Sequence, residues 1–247
     1  MKLAEDTKSE NAQSGLWETA KVIFQALILA LVVRTFLFQP FTIPSGSMMP
    51  NLLVGDYLFV SKYTYGYSRY SLPYAPDLFD GRIWEGRPER GDIVVFKLPS
   101  DPRVDYIKRI VGMPGDRIQV LDGLLHINGE PVKREATGTW TPEGGGPEIP
   151  VFRETLPNGV SYDTLDIFSR GEGDNTEVFE VPADSYFFMG DNRDNSLDSR
   201  FDVGYVPLEN LVGPTRVIFF SVRNDAHPLA IWRWPADMRT SRLFKGL

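Results

Sequence analysis

From Val22 to Phe38 the chain is apolar except at Gln25, Arg34 and Thr35, and this run constrains everything that follows it. As a helix it extends about 25 Å, a little short of the ~30 Å hydrocarbon core of a bilayer. Its apolar residues fall on every face, so no stripe is set aside for a soluble core, and lipid is the natural surrounding. A cleaved export signal carries a shorter apolar region of ~7–15 residues that ends in a small-x-small site. Gln39-Pro40-Phe41 follows here instead. The run therefore reads as a retained anchor, with Trp17 at the near interface, Arg34 reaching toward the far one and Pro40 stopping the helix. Lys2, Lys8 and Lys21 precede it, and counting basic residues places the N-terminus in the cytoplasm and the large remainder outside.

Just beyond the anchor, Pro44-Ser45-Gly46-Ser47-Met48-Met49-Pro50 is a proline-bracketed turn that presents two hydroxyls. A serine hydroxyl is a weak nucleophile and needs a neighbour to take its proton. The chain has 0 cysteines and 2 histidines, which removes thiolate nucleophiles, disulfides and Cys-ligated zinc and leaves no His-containing metal spacing. His126 belongs to a hairpin and His227 to a tail beside Pro228, and neither sits in a motif. A net charge of −7 also argues against nucleic-acid binding, which calls for a basic face.

Lysine can serve as the base once burial lowers its pKa toward ~7–8. In Asp105-Tyr106-Ile107-Lys108-Arg109-Ile110-Val111, strand alternation puts Tyr106, Lys108 and Ile110 on one face. An aromatic and a β-branched neighbour on its own face favour the uncharged amine of Lys108. Arg109 points the opposite way, cannot shed its proton and requires a carboxylate. The block from Gly190 to Arg200 offers Asp191 or Asp198 for that purpose, and Ser196 as a hydroxyl to orient the amine. Gly190 marks close packing or a positive φ at the start of this block.

The remainder reads as β. Asp56 to Val60, Asp92 to Phe96, Ser185 to Met189 and Val217 to Phe220 are short β-branched and aromatic runs, and Leu124 to Ile127 followed by Asn128-Gly129 is a hairpin signal. No amphipathic helix is expected after residue 40. Tyr63 to Pro88 and Gly138 to Pro147 read as elaborations. The expected architecture is mainly β: an antiparallel catalytic core with an inserted β-rich subdomain, preceded by one N-terminal transmembrane helix. The expected boundaries are a cytoplasmic tail 1–16, an anchor 17–39, a core in two parts 40–121 and 183–222, an insert 122–182 and a C-terminal extension 223–247 whose Trp232 and Trp234 could reach lipid.

These blocks resemble type I signal peptidases, the membrane-bound Ser–Lys endopeptidases that remove signal peptides from exported preproteins. The resemblance rests on Ile43 to Pro50, on Arg90 to Phe96, on Asp105 to Asp116 and on Gly190 to Arg200, four blocks in family order. It implies Ser47 as nucleophile and Lys108 as general base, with the Ser47 N–H and the Ser45 hydroxyl as oxyanion donors. It further implies that Ser196 holds the Lys108 amine, that Asp191 pairs with Arg109, and that Asp198 with Arg200 braces the loop. Phe41, Ile43, Pro44, Met48, Leu52, Leu58, Tyr106 and Ile107 would line shallow pockets for small side chains. No cofactor or metal is implied.

The resemblance also places the protein in a bacterial inner (plasma) membrane with its catalytic domain periplasmic or extracytoplasmic. Signal peptides and the lipid bilayer are its implied partners, with contact to the secretion machinery in reach. Well-known two-span members differ from this single-run chain, and some carry a disulfide in the insert that this chain cannot form. Two rival readings are weaker. A Ser–Lys self-cleaving repressor would lack the membrane run and carry a DNA-binding domain. A non-catalytic, membrane-tethered periplasmic scaffold would leave the Ser47, Lys108 and Ser196 blocks without a role.

Overall fold

The computed structural model describes residues 3–72, 75–168, 170–223 and 234–247, without the side chains of 3–16 and 234–235. His227 and Trp232 lie outside the described residues, as does the Trp234 side chain. Helix α1, Leu3–Phe36, has 34 residues and begins well before the apolar run. Its stretch Trp17–Phe36 has 20 residues and a mean hydropathy of 1.7, which is about 30 Å of helix and enough to cross a hydrocarbon core. Val22, Phe24, Leu27 and Leu29 are each at least 63 % exposed, so no protein surface covers them; at its last turn, where Thr35 is buried, the helix meets the domain.

The helix ends at Phe36, where the Leu37 N–H still donates to the Val33 carbonyl at 2.8 Å. Pro40 does not stop it, contrary to the sequence expectation. Phe38–Thr42 is strand β1, and Pro40 lies within it, opposite Phe59. β1 is an edge strand, where a missing N–H need not break a ladder.

The strands that follow are β2 (Asp56–Ser61), β3 (Ile93–Leu98), β4 (Asp101–Gly112), β5 (Arg117–Leu121), β6 (Leu124–Ile127), β7 (Glu130–Pro131) and β8 (Lys133–Trp140). Next come β9 (Ile149–Thr155), β10 (Ser161–Leu165), β11 (Phe179–Glu180), β12 (Ser185–Met189), β13 (Val206–Pro207), β14 (Leu211–Ser221), the single-turn helix α2 (Trp234–Asp237) and β15 (Lys245–Gly246). The main sheet runs β1-β2-β14-β3-β4-β12-β13, with β15 added against β14. Two smaller sheets, β11-β5-β6-β7 and β10-β9-β8, carry the segment between β4 and β12. β5 pairs with β6 through a turn at Asp122 and Gly123, so the boundary drawn at 121 passes through a hairpin.

The expected hairpin at Asn128-Gly129 joins β6 to β7, both turn residues having positive φ (56° and 87°) as a type I′ turn requires. β12 is buried along its whole length because both its faces are covered. Phe188 packs with Val94, Phe96 and Ile110 on one side, while Phe187 and Met189 pack with Ile118, Val120 and Leu125 on the other. A strand covered on both faces reads as an unbroken apolar run, which is how Ser185 to Met189 appears in the sequence.

Candidate active site

The loop between β1 and β2 carries Ser47. Its base is closed by two backbone bonds, Ile43 N–H to the Asp56 carbonyl (2.9 Å) and Gly55 N–H to the Ile43 carbonyl (3.0 Å). Ile43, Met48 and Leu52 point inward and pack with Leu58, Ile93 and Ile218. Burying these apolar side chains pins the loop and leaves Ser47 at its inner rim, 6 % exposed. The Ser47 carbonyl accepts from the Asn192 N–H at 3.0 Å, and the Asn192 side chain donates to the Gly46 carbonyl at 3.1 Å. Among the described residues the Ser47 N–H has no acceptor. Ser45 is exposed, with its Oγ 3.4 Å from the Ser47 Oγ.

Strand β4 brings Lys108 to the same point. Its Nζ lies 2.5 Å from the Ser47 Oγ and 5.4 Å from the centre of the Tyr106 ring. Burial lowers the Lys108 pKa to about 8, against the opposing pull of the Asp198 and Asp191 carboxylates. A second lysine that the sequence reading passed over, Lys62, is also buried and also lowered to about 8, first by burial and then by Arg34 and Lys97. Lys62 donates to the Ser71 carbonyl at 2.6 Å. Of the two, only Lys108 meets a serine hydroxyl.

On the opposite face of β4, Arg109 pairs through two nitrogens with Asp191 (2.8 and 2.7 Å) and lies 4.0 Å from the centre of the Tyr162 ring. Asn51, unnoticed in the sequence, donates to the same Asp191 carboxylate at 2.7 Å and to the Asp163 carbonyl at 2.7 Å. Arg200 forks onto Asp198 (2.9 and 3.0 Å), whose carboxylate also accepts from the Gly190 N–H at 3.0 Å and the Arg200 N–H at 3.2 Å. Glu154, Tyr162 and Arg193 form a further buried cluster, with Arg193 doubly bonded to Glu154. It joins the 190–200 loop to the β8–β10 sheet. Only Arg193 lies in a block singled out from the sequence; Glu154 and Tyr162 give no local signal.

Ser196 is placed differently from expectation. Its Oγ is buried and has no hydrogen-bond partner among the described residues. The Lys108 amine contacts Ser47 instead. A Cβ on Gly190 would fall 2.2 Å from the Ser196 Oγ and 2.6 Å from the Ser47 carbonyl oxygen. Gly190 is thus a site of close packing, not of positive φ.

A cleft of about 680 Å³ opens over Ser47 and Lys108, lined also by Pro44, Tyr106 and Ile107 and by Phe168, Asn195, Ser196 and Leu197. Of the residues expected to line substrate pockets, Pro44, Tyr106 and Ile107 line this cleft. Ile43, Met48, Leu52 and Leu58 do not: they are 0–3 % exposed in the core beneath the loop, with Ile107 packed against them. The resemblance places these residues at the cleft, but their side chains turn inward. Phe41 packs instead against Val60, Val95 and Val212.

The sequence profile described as "Signal peptidase, peptidase S26" matches residues 16–220. The signal peptidase I of Rickettsia akari (strain Hartford) is 43 % identical, covering 98 % of this chain and 97 % of its own. That of Rickettsia typhi (strain ATCC VR-144 / Wilmington) is 44 % identical over 90 % of each chain. A crystal structure of a signal peptidase I from Enterococcus faecalis V583 is 24 % identical, covering 52 % of this chain and 96 % of its own with a TM-score of 0.32.

Proposed function

Because this chain belongs to the signal peptidase, peptidase S26, family, we propose that it is a membrane-bound serine endopeptidase that removes N-terminal signal peptides from exported preproteins, with Ser47 as nucleophile and Lys108 as base. The observation that carries this reading is the 2.5 Å approach of the Lys108 Nζ to the Ser47 Oγ, at a lysine whose pKa is lowered to about 8. A buried neutral amine at that distance can take the hydroxyl proton as the oxygen attacks a carbonyl carbon. The negative charge that develops is held by the unpaired Ser47 N–H and the Ser45 hydroxyl, a stabilisation that is usually the largest single contribution. The C–N bond then breaks, Lys108 returns the proton to the leaving amine, and an ester on Ser47 remains. Lys108 next takes a proton from water, the hydroxide adds to the ester carbonyl, and the Ser47 oxygen leaves with the proton.

The substrate enters as an extended segment along residues 105–108 of β4, gaining main-chain hydrogen bonds while alternate side chains face the enzyme. Ile107 and Pro44 line the cleft with Ser47, and Ile107 packs on the buried Ile43–Met48–Leu52 core; walls at the nucleophile favour small side chains. A scaffold with no chemistry has no use for a lysine buried against a serine, so that rival is not favoured. The test is direct: detergent-solubilised protein is incubated with a preprotein and the products are resolved on a gel. Mature protein appears with the parent chain and not with Ser47→Ala; undiminished cleavage by Ser47→Ala would remove the serine from the mechanism.

The bilayer contact rests on two features. α1 exposes its apolar surface throughout Trp17–Phe36. At its exit, Phe38, Phe59 and Tyr63 are exposed, and Phe59 stacks on Phe219 at 4.1 Å between ring centres. Tyrosine rings such as Tyr63 gather at membrane interfaces for their mixed polarity, and the exposed phenylalanines offer apolar surface beside it. Lys2, Lys8 and Lys21 retain the N-terminus in the cytoplasm, and the domain after Phe38 faces outward, where exported chains leave the secretion machinery. Protease added to spheroplasts accordingly digests everything after Phe38; full protection of that domain would reverse the orientation.

A further inference from the structure

At the end of α1 a cavity of about 490 Å³ is lined by Arg34, Lys62, Lys97 and Arg103, with Asp105 as its one carboxylate. Lys97 and Arg103 have counter-charges: Lys97 lies 2.8 Å from Asp105, and Arg103 forks onto Asp101 at 2.8 and 2.9 Å. Arg34 and Lys62 have none within ion-pair distance among the described residues. Lys62 is 3 % exposed, and among the described residues the Ser71 carbonyl is its one neutral acceptor. A buried ammonium whose cavity carboxylate, Asp105, is already paired with Lys97 is costly. Burial and the cations Arg34 and Lys97 lower its pKa against the opposing pull of Asp105, and an anion in this cavity would add to that pull. The main-chain N–H of Lys62 donates to the Leu37 carbonyl at 3.0 Å, and the Tyr67 hydroxyl to the Phe36 carbonyl at 2.6 Å. The cavity is therefore fixed to the point where the helix meets the domain.

We propose that this cavity binds the phosphate of an anionic phospholipid headgroup, held between Lys62 and Arg34. A lipid is favoured over a free phosphate by the other walls. Leu31 lies one turn before Arg34 on the same face of the apolar helix, and Phe41 adds a second apolar surface. A phosphate at Lys62 and Arg34 thus has an acyl path along α1. The bound lipid would lock the angle between anchor and domain, and hence the height of the cleft above the bilayer. This inference rests on reading α1 as a membrane anchor and is independent of the Ser47–Lys108 chemistry.

The experiment uses the full chain in detergent micelles mixed with phosphatidylglycerol and phosphatidylcholine, with retained lipid read by native mass spectrometry. The parent chain retains phosphatidylglycerol in preference, and Lys62→Met and Arg34→Gln each weaken that preference at least about fivefold. Lys62→Met removes an uncompensated buried charge and Arg34→Gln alters an exposed helix position, so both fold; melting temperature in detergent checks this. Flotation with vesicles reports anchoring separately, and all three proteins float if α1 inserts. Equal retention of the two lipids by the parent chain, or a preference that survives both substitutions, overturns the proposal. So does binding of millimolar inorganic phosphate without any lipid preference, which would assign the cavity to a soluble anion.

Discussion

Lys108→Ala and Lys108→Arg each abolish preprotein cleavage, a loss of at least the ~10²–10⁴-fold that a positioned general base supplies. Arginine fails because it stays protonated at every accessible pH. In the parent chain the working form is the neutral amine. With a pKa of about 8, that form is about a tenth of the population at pH 7 and about nine tenths at pH 9, so the rate climbs about tenfold across this interval and then levels. The direction follows from the sign of the shift: burial favours loss of the proton, and the base gains competence as pH rises. His126→Ala leaves the profile unchanged, since its ring contacts the Leu124 carbonyl and no part of the cleft. A profile that levels near pH 6 to 7 would point to a histidine and sink the lysine assignment.

Stability separates this from a folding defect. The folded pKa of Lys108 lies below its unfolded value, so below about pH 8 the folded state carries a buried charge that opposes it. That penalty is fully present at neutral pH and disappears as pH rises from the folded toward the unfolded pKa. Lys108→Met removes it outright. Its melting temperature at pH 7 therefore equals or exceeds that of the parent chain, while cleavage is lost. A variant that is both inactive and much less stable would mean that Lys108 acts by holding the loop together.

The pair at the centre of the site is legible in the sequence because few chemistries remain: no thiol, no motif-bound histidine, and one lysine between apolar neighbours on a strand face. β2 and β12 are legible for a similar reason, since each is a short apolar run with clear ends. The sheet β8–β10 is much less so. β8 reads Lys133-Arg134-Glu135-Ala136-Thr137 at its start, is largely exposed, and is a strand because β9 pairs with it, which no local pattern announces. The end of α1 was misread because Pro40 breaks helices in general but here occupies a strand edge.

Within the site, the misplaced residues share one cause. The resemblance implies Met48, Leu52 and Leu58 in the cleft, yet a closed loop sends some side chains out and others under. The missed residues share another. Asn51, Glu154 and Tyr162 acquire their importance from partners far away along the chain, at Asp191 and Arg193, and a lone polar residue carries no sign of burial. Lys62 was missed likewise: its setting is made by Arg34, Lys97 and Ser71, none adjacent to it in sequence.

Asp191→Ala produces the largest stability loss expected of any single substitution at the site. It leaves Arg109 buried, with the Gly91 carbonyl (2.7 Å) and the Tyr162 ring as its remaining partners. Removing one member of a buried ion pair typically costs ~3–5 kcal/mol, because the other charge is stranded. For a chain of this size that is a fall of roughly 6–20 °C in melting temperature. The single substitution also frees Asn51 from one of its two acceptors and loosens the loop whose next residue, Asn192, holds the Ser47 carbonyl. A shift of ~1 Å there costs about a hundredfold in rate, so activity falls with stability. The double variant Arg109→Met, Asp191→Leu strands no charge, and apolar replacement of a buried pair is often neutral or better. It therefore melts well above Asp191→Ala, and with Arg109→Met and Asp191→Leu each made alone the cycle gives a coupling in the ~0.5–3 kcal/mol range expected of neighbours. The double variant still cleaves slowly because Asn51 lacks its carboxylate. Additive melting losses in the double variant would show that Arg109 and Asp191 act separately, and that the ion pair is not what ties β4 to the catalytic loop.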